Sequence, residues 1–107
     1  MRLFAVLRSR GSGWNDALPL EGQAEWDAHA AFMDELYRDG RCVFAGPLEG
    51  THEALVVLRA ADEAEARSLL EADPWTRRGL LTLARLHPWT LRLGSELVEI
   101  RTSTFRF

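Results

Sequence analysis

Apolar residues along this chain gather in short runs and one longer helical stripe, and this pattern predicts the secondary structure. The short runs have the length of strands and are bounded by Gly, Pro and Asp, which favour turns. Buried strands are expected at Leu3–Leu7, Cys42–Ala45, Ala54–Leu58 and Leu81–Leu86. The segment Ser9–Pro19 combines glycines with Asn, Asp and Pro and is expected to form a long loop.

The longer stripe predicts an amphipathic helix over Glu21–Asp39. Its apolar side consists of Trp26, His29, Ala30, Met33, Leu36 and Tyr37, while Asp27, Asp34 and Arg38 fall on the other side. An Asp-Gly pair ends this helix, because glycine tolerates the left-handed backbone found at helix ends. A second helix is expected from Asp62 to about Ala72, where Asp73-Pro74 breaks the pattern.

The predicted order of elements is therefore β-α-β-β-α-β. This order is typical of the ferredoxin-like α+β fold, a four-stranded antiparallel sheet with both helices on one face. The other face has no cover within the chain, so a second copy of the chain is expected to cover it. The run Leu97–Ile100, followed by Thr102, Thr104, Phe105 and Phe107, predicts an extra C-terminal strand at a sheet edge. Residues 1–94 are thus expected to form the ferredoxin-like domain, and residues 95–107 a strand-like extension of it.

Length, charge and cysteine content exclude several classes of protein. The 107 residues suit a single domain. The net charge is −3 and the 13 basic residues are scattered, whereas nucleic-acid binding needs a concentrated basic surface. No stretch approaches the ~20 apolar residues of a membrane helix, and the start lacks the apolar segment of a signal peptide. Cys42 is the single cysteine, which leaves no intrachain disulfide and suits a cytoplasmic location.

Three landmarks occur in a distinctive order along the chain. His29 lies in the middle of the first predicted helix, and Phe44–Leu48 (FAGPL) ends the second strand. Ala72–Trp75 (ADPW) follows the second helix, with Gly79 and His87-Pro88-Trp89 after it. In this combination the chain resembles the YCII-related family over about residues 1 to 93. The resemblance implies a dimeric α+β barrel, in which two ferredoxin-like sheets face each other, and an active site that uses His29 and Asp73.

Each of these two residues also has a purely structural interpretation. His29 faces inwards with Trp26 and Met33, and its imidazole suits either general acid/base catalysis or a buried bond to a backbone carbonyl. Asp73 precedes Pro74 in the pattern of a helix N-cap, yet it could also bond one ring nitrogen of a histidine. Contact between His29 and Asp73 is implied by the family resemblance alone.

A pocket is expected around this pair, lined by Trp26, Met33, Gly46, Pro47 and Trp75. Glycine lets a ligand approach the backbone closely, and Trp75 and Trp14 offer flat surfaces for a planar ligand. His52 is expected to be solvated in a turn. Since no two of the three histidines have metal-binding spacing, we expect no metal site, and nothing in the sequence indicates a cofactor.

These observations leave different functions open. The first is a small cofactor-independent enzyme, of lyase or isomerase type, in which His29 moves a proton on a small organic substrate and Asp73 orients it. The alternative is a non-catalytic small-ligand-binding or accessory module of the same fold, for which His29 would be closed off from solvent. A purely structural dimer would have no pocket between sheet and helices.

Overall fold

The computed structural model describes residues 1–103 and the side-chain environment of residues 1–99. In chain order the elements are β1 (Arg2–Arg10), α1 (Trp26–Arg38), β2 (Cys42–Pro47), β3 (Glu53–Ala60), α2 (Glu63–Glu71), α3 (Pro74–Arg77), β4 (Leu81–Trp89) and α4 (Ser95–Ser103). The predicted β-α-β-β-α-β order is present, and α3 and α4 add to it. Of the helices in these residues, none combines the length and apolarity needed to cross a membrane.

The strands form one four-stranded sheet in the order β2-β3-β1-β4. All neighbouring strands are antiparallel. On central strand β1, Phe4 lies opposite Leu58 of β3 on one side and Pro88 of β4 on the other. The predicted ferredoxin-like α+β fold is therefore confirmed.

The main core lies between the sheet and helices α1 and α2. Strand side chains alternate between the two faces of a sheet, so Phe4 and Val6 point to the same side and are both buried. They pack with Leu36 of α1 and Leu70 of α2. Burying an apolar side chain of this size contributes about 1.5–3 kcal/mol. The same alternation carries Arg8 onto the core side, and this places a charge near the functional site.

The opposite face of the sheet is only partly covered. Val43 and Val57 are buried there beneath Val98 of α4. Phe44, opposite Val57 in the ladder, and Trp89 at the end of β4 remain 50% and 40% exposed. The C-terminal helix thus covers one part of this face and leaves large apolar side chains on the rest.

The C-terminal extension differs from the sequence prediction. The strand predicted at Leu97–Ile100 is wrong, because these residues lie within helix α4. A short apolar run does not by itself distinguish a strand from a helix. Gly94 adopts a φ of 89° and its carbonyl accepts a hydrogen bond from the Leu97 N–H at 3.1 Å, so the chain turns into a helix at this point. Val98 then packs on the sheet while Leu97 stays 67% exposed. Residues 104–107, where the predicted strand was to continue, lie outside the described residues.

Several predicted boundaries also shift. Strand β1 continues to Arg10, so the long loop begins after Arg10 instead of at Ser9. Helix α1 begins at Trp26 instead of Glu21, because the chain first makes a 3₁₀ turn at Leu20–Gly22 and Glu25 takes a left-handed backbone with φ of 62°. Strand β4 continues through Pro88 instead of ending at Leu86. Proline has no N–H to donate, but β4 is an edge strand, where a missing donor can be tolerated.

Candidate active site

His29 and Asp73 are joined by a hydrogen bond between their side chains. The Nδ1 atom of His29 lies 2.9 Å from Oδ1 and 2.9 Å from Oδ2 of Asp73. The apolar stripe of α1 turns the imidazole inwards, and the cap of the short helix α3 presents the carboxylate to it. The two residues that the family resemblance pairs are therefore in contact in the folded chain.

Asp73 is fully buried and surrounded by donors. The Trp75 backbone N–H donates to Oδ1 at 3.0 Å, so Asp73 is also the N-cap of α3, with Pro74 in the first helical position. Arg8 Nη1 donates to Oδ2 at 2.8 Å. Burial on its own raises the pKa of Asp73, but the bonds from His29, Trp75 and Arg8, together with the Arg8 charge, outweigh it and hold that pKa below its ordinary value of 3.8. The carboxylate is therefore ionised at neutral pH.

Arg8 is the partner that the sequence interpretation missed. Its side chain is 2% exposed, and its second nitrogen, Nη2, donates to Thr76 Oγ1 at 2.6 Å. That hydroxyl in turn donates to the Leu70 carbonyl at 2.8 Å. Since a buried charge needs a counter-charge, the position of Arg8 on the Phe4 and Val6 side of β1 was a signal that a buried carboxylate lies nearby. Arg8 and Asp73 thus balance each other's charge inside the protein.

The plane of the His29 ring is fixed by stacking, in addition to the hydrogen bond to Asp73. It stacks on the Trp75 indole, with ring centroids 3.8 Å apart and planes 4° apart. Trp75 is itself fixed by a hydrogen bond of 2.6 Å from Nε1 to the Ala24 carbonyl. The second ring nitrogen of His29, Nε2, has no hydrogen-bond partner among the described residues, and the His29 side chain is 12% exposed. The Asp73 carboxylate and the Trp75 indole therefore fix the position and tilt of the imidazole, while its Nε2 atom stays available to a ligand.

A cavity of about 290 Å³ lies beside this imidazole. Its lining includes every pocket residue expected from the sequence: Trp26, Met33, Gly46, Pro47 and Trp75. Asp73 is outside the lining and sits behind His29. Trp14, which the sequence offered as a surface for a planar ligand, also lines the cavity, as do residues that the sequence did not place there, among them Arg8, Arg10, Leu20, Thr51, His52 and Leu81. His52 is exposed, as expected of a turn residue, yet it contributes to the cavity.

The long loop after β1 forms part of the cavity wall and is internally fixed. The buried Gln23 side chain donates to the carbonyls of Asn15 at 2.7 Å and Leu18 at 3.0 Å, and accepts from the Asn15 N–H at 3.0 Å. These bonds satisfy loop backbone groups that have no hydrogen-bond partner in a strand or helix. Trp14 then meets Trp75 edge to face, with ring centroids 5.3 Å apart and planes at 85°. The loop thus adds a second indole to the wall that carries His29.

Two further expectations concern Gly46 and metal ions. A Cβ built on Gly46 would meet no other atom within 4 Å, so no protein neighbour requires glycine there, although the residue itself lines the cavity. Among residues 1–103, no three His, Cys, Asp or Glu side chains come together in an arrangement that could hold a metal ion.

Comparison with known proteins identifies the family. The model of the YCII-related domain matches residues 14–90, and the chain therefore belongs to the YCII-related family. Its structure is similar to that of 5-chloro-2-hydroxyhydroquinone dehydrochlorinase from Burkholderia phenoliruptrix, solved in complex with 2,5-dihydroxybenzoquinone. The TM-score is 0.64 at 23% sequence identity, over 82% of this chain and 93% of the dehydrochlorinase chain, which shows a shared fold. No curated protein matches the chain in sequence.

Proposed function

We propose that the protein is a small cofactor-independent enzyme in which His29 acts as general acid and base and Asp73 orients it. The observation that carries this proposal is the His29 imidazole, bonded through Nδ1 to a buried carboxylate while its ring lines a cavity. A histidine that served only the core was expected to bond a backbone carbonyl, whereas His29 bonds a carboxylate. Proton transfer by a positioned side chain typically accelerates a reaction by about 10²–10⁴-fold.

The chemistry follows from the tautomer. An ionised Asp73 can only accept a hydrogen bond, so we assign the proton of neutral His29 to Nδ1, which leaves Nε2 as the basic nitrogen. Nε2 takes a proton from an acidic C–H of the substrate, and the electron pair of that bond forms a double bond. In an elimination a leaving group departs with its own electron pair, whereas in an isomerisation the imidazolium returns the proton to another carbon. The carboxylate of Asp73 stabilises the imidazolium meanwhile. Neither reaction changes the overall oxidation level, so neither needs a redox cofactor.

The walls of the cavity favour a small ring compound that bears carbonyl or hydroxyl groups. Trp14 and Trp26 supply partly exposed apolar surface, and His29, stacked on the buried Trp75, supplies the proton-transfer group beside it. The structurally similar dehydrochlorinase acts on a hydroxylated chlorinated ring and was solved with a dihydroxybenzoquinone. This parallel supports a cyclic substrate and an elimination or isomerisation on it.

Two observations favour an enzyme over the alternatives left open by the sequence. A non-catalytic binding module was expected to close His29 off from solvent, yet the side chain is partly exposed in the cavity beside Asp73. A purely structural dimer was expected to lack a pocket between sheet and helices, yet a cavity of about 290 Å³ lies there.

We also propose that the protein acts as a homodimer with the open sheet faces against each other. Phe44 and Trp89 lie half exposed on the side of the sheet away from α1 and α2. Large apolar side chains grouped on one face are typical of an interaction surface. This arrangement would be the α+β barrel implied by the family.

A turnover screen tests the catalytic proposal. The wild-type protein would be assayed by NMR against small ring compounds with a halide, hydroxyl or carbonyl substituent, next to His29→Ala and Asp34→Ala. Asp34 is an exposed residue of the same helix α1 and lies outside the cavity lining, so its variant controls for a substitution in that helix. We expect turnover by the wild type and Asp34→Ala and a loss of about 10²-fold or more in His29→Ala. Equal turnover by wild type and His29→Ala would refute the role of His29.

A further inference from the structure

Two arginines line the cavity, and they differ in whether a buried carboxylate neutralises their charge. Arg8 and Arg10 are two residues apart on β1, so their side chains leave the same face of the strand. Arg8 is 2% exposed and is bonded through both terminal nitrogens, to Asp73 and to Thr76. Its charge is balanced inside the protein, and it has little left to offer a ligand.

Arg10 is held in place without being neutralised. Its guanidinium carbon lies 4.7 Å from the centroid of the Trp14 ring, within the range of a cation–π interaction. Its ionic partner in the described residues is Asp16, 3.7 Å away and 79% exposed, and such solvated pairs are weak. The Arg10 side chain is 36% exposed. Trp14 therefore orients the guanidinium, while its N–H donors remain available at the cavity.

The other charged and titratable groups near Arg10 do not oppose an anion. His52 lies next to Arg10, whose backbone N–H donates to the His52 carbonyl at 3.0 Å. Glu53 also touches the cavity, but in the β1–β3 ladder it lies opposite Ser9, on the strand face away from Arg8 and Arg10. Asp73 balances Arg8, so the Arg10 guanidinium, whose partner Asp16 is solvated, is the cation that the cavity presents to a ligand.

We infer that Arg10 recognises an anionic group on the substrate, and that the substrate class is a single-ring planar compound carrying a carboxylate. This inference rests on the proposed function for the use of the ring, and adds the group by which the ring is recognised. A carboxylate accepts paired hydrogen bonds from a guanidinium, which neutral substituents do not match. The size of the cavity agrees, since benzene fits a cavity of about 150 Å³. A volume near 290 Å³ then holds one ring with substituents.

Binding measured by tryptophan fluorescence tests the inference, because Trp14, Trp26 and Trp75 all line the cavity. The probes are 4-hydroxybenzoate and its neutral isostere 4-hydroxybenzamide, titrated into the wild type, Arg10→Met and Arg10→Gln. The wild type is expected to bind the benzoate about tenfold more tightly than the amide, and added salt should reduce that preference. Both Arg10 variants are expected to bind the two probes alike, so that the preference for the benzoate is lost.

The outcomes separate this inference from the proposed function. If the benzoate binds no more tightly than the amide, including the case in which neither binds at millimolar concentration, the inference is wrong. It is also wrong if the preference persists in both Arg10 variants. His29→Gln should keep the preference for the benzoate while losing turnover, because His29 is not the anion-binding group. Retained turnover in His29→Gln would contradict the proposed function and leave the recognition by Arg10 standing.

Discussion

His29 Nδ1 lies 2.9 Å from each carboxylate oxygen of Asp73, although the two residues are 44 positions apart in the chain. On its other side the same carboxylate binds Arg8 and caps α3. One buried carboxylate therefore performs three tasks: it starts a helix, neutralises an arginine and orients a histidine. The capping task can be separated from the other two, because asparagine keeps a helix cap but carries no charge.

Asp73→Asn tests the orienting task. Asparagine is also a good N-cap, so helix α3 can still begin at this position. The amide nitrogen, however, can donate to His29 and favour the wrong tautomer, and we expect the turnover number to fall by about 10²–10⁴-fold. Asp62→Asn is the matched control, because Asp62 caps α2 through the Glu65 N–H and is exposed away from the site.

Circular dichroism would establish that both asparagine variants are folded under the assay conditions. An Asp73→Asn protein with wild-type turnover would show that His29 does not depend on this carboxylate. An equal loss of turnover in Asp62→Asn would trace the effect to a helix cap instead.

Stability in acid should depend on Asp73. Its folded pKa lies below the ordinary value of 3.8, so between these two values the unfolded chain binds more protons than the folded one. The contribution of Asp73 to the free energy of unfolding is therefore fully present above that ordinary value and is lost as the pH falls through the folded pKa. Urea unfolding from neutral pH to about pH 3 should show wild type and Asp73→Asn approaching each other in stability as the pH falls. A constant difference between them across that range would contradict the lowered pKa.

Gly11 should be required for the loop that carries Trp14. A Cβ at Gly11 would lie 2.2 Å from the Gly79 carbonyl oxygen, and that backbone atom cannot move without displacing the turn before β4. Gly11→Ala is expected to lower the free energy of unfolding by about 1–3 kcal/mol. Gly46→Ala is the matched control, since its Cβ would meet nothing within 4 Å, and its thermal midpoint should stay close to that of the wild type. Equal midpoints for the two variants would show that the loop does not rest on Gly79.

The proposed dimer predicts a mass of about twice 12.1 kDa in light scattering at micromolar concentration. Phe44→Asp places a charge on the open sheet face and should convert the dimer to a monomer. Tyr37→Asp, an equally exposed aromatic position on α1, is the control and should leave the mass unchanged. A wild-type protein of 12.1 kDa would rule out the dimer under these conditions.

Most of the fold could be predicted from local sequence pattern, because strands and helices of a small α+β domain carry distinct apolar periods. The inward orientation of His29 followed from the α1 stripe for the same reason. The C-terminal helix did not follow, since among its residues 95–99 only Val98 is buried and one buried position does not define a period. The start of α1 at Trp26 depends on the unusual backbone of Glu25, which no simple pattern indicates.

The site was less predictable than the fold, because it is assembled across the chain. The resemblance to the YCII-related family predicted that Asp73 pairs with His29, and no local sequence feature of either residue indicated it. The alternation of β1 placed Arg8 on the core face, and a search for its counter-charge would have pointed to a buried carboxylate. The contributions of Arg10 and Trp14 depend on how the loop folds back over Trp75, and this is a tertiary property.

The claim that His29 exchanges protons with a substrate is tested most directly by comparing two pH profiles of the wild-type protein. One is kcat/KM for the ring compound found in the screen, and the other is the titration of the His29 imidazole followed by NMR. Because neutral His29 is the base, kcat/KM should fall towards acid with the same midpoint as the imidazole titration. Midpoints that differ by more than about one pH unit, or an acid limb that survives in His29→Ala, would contradict the account.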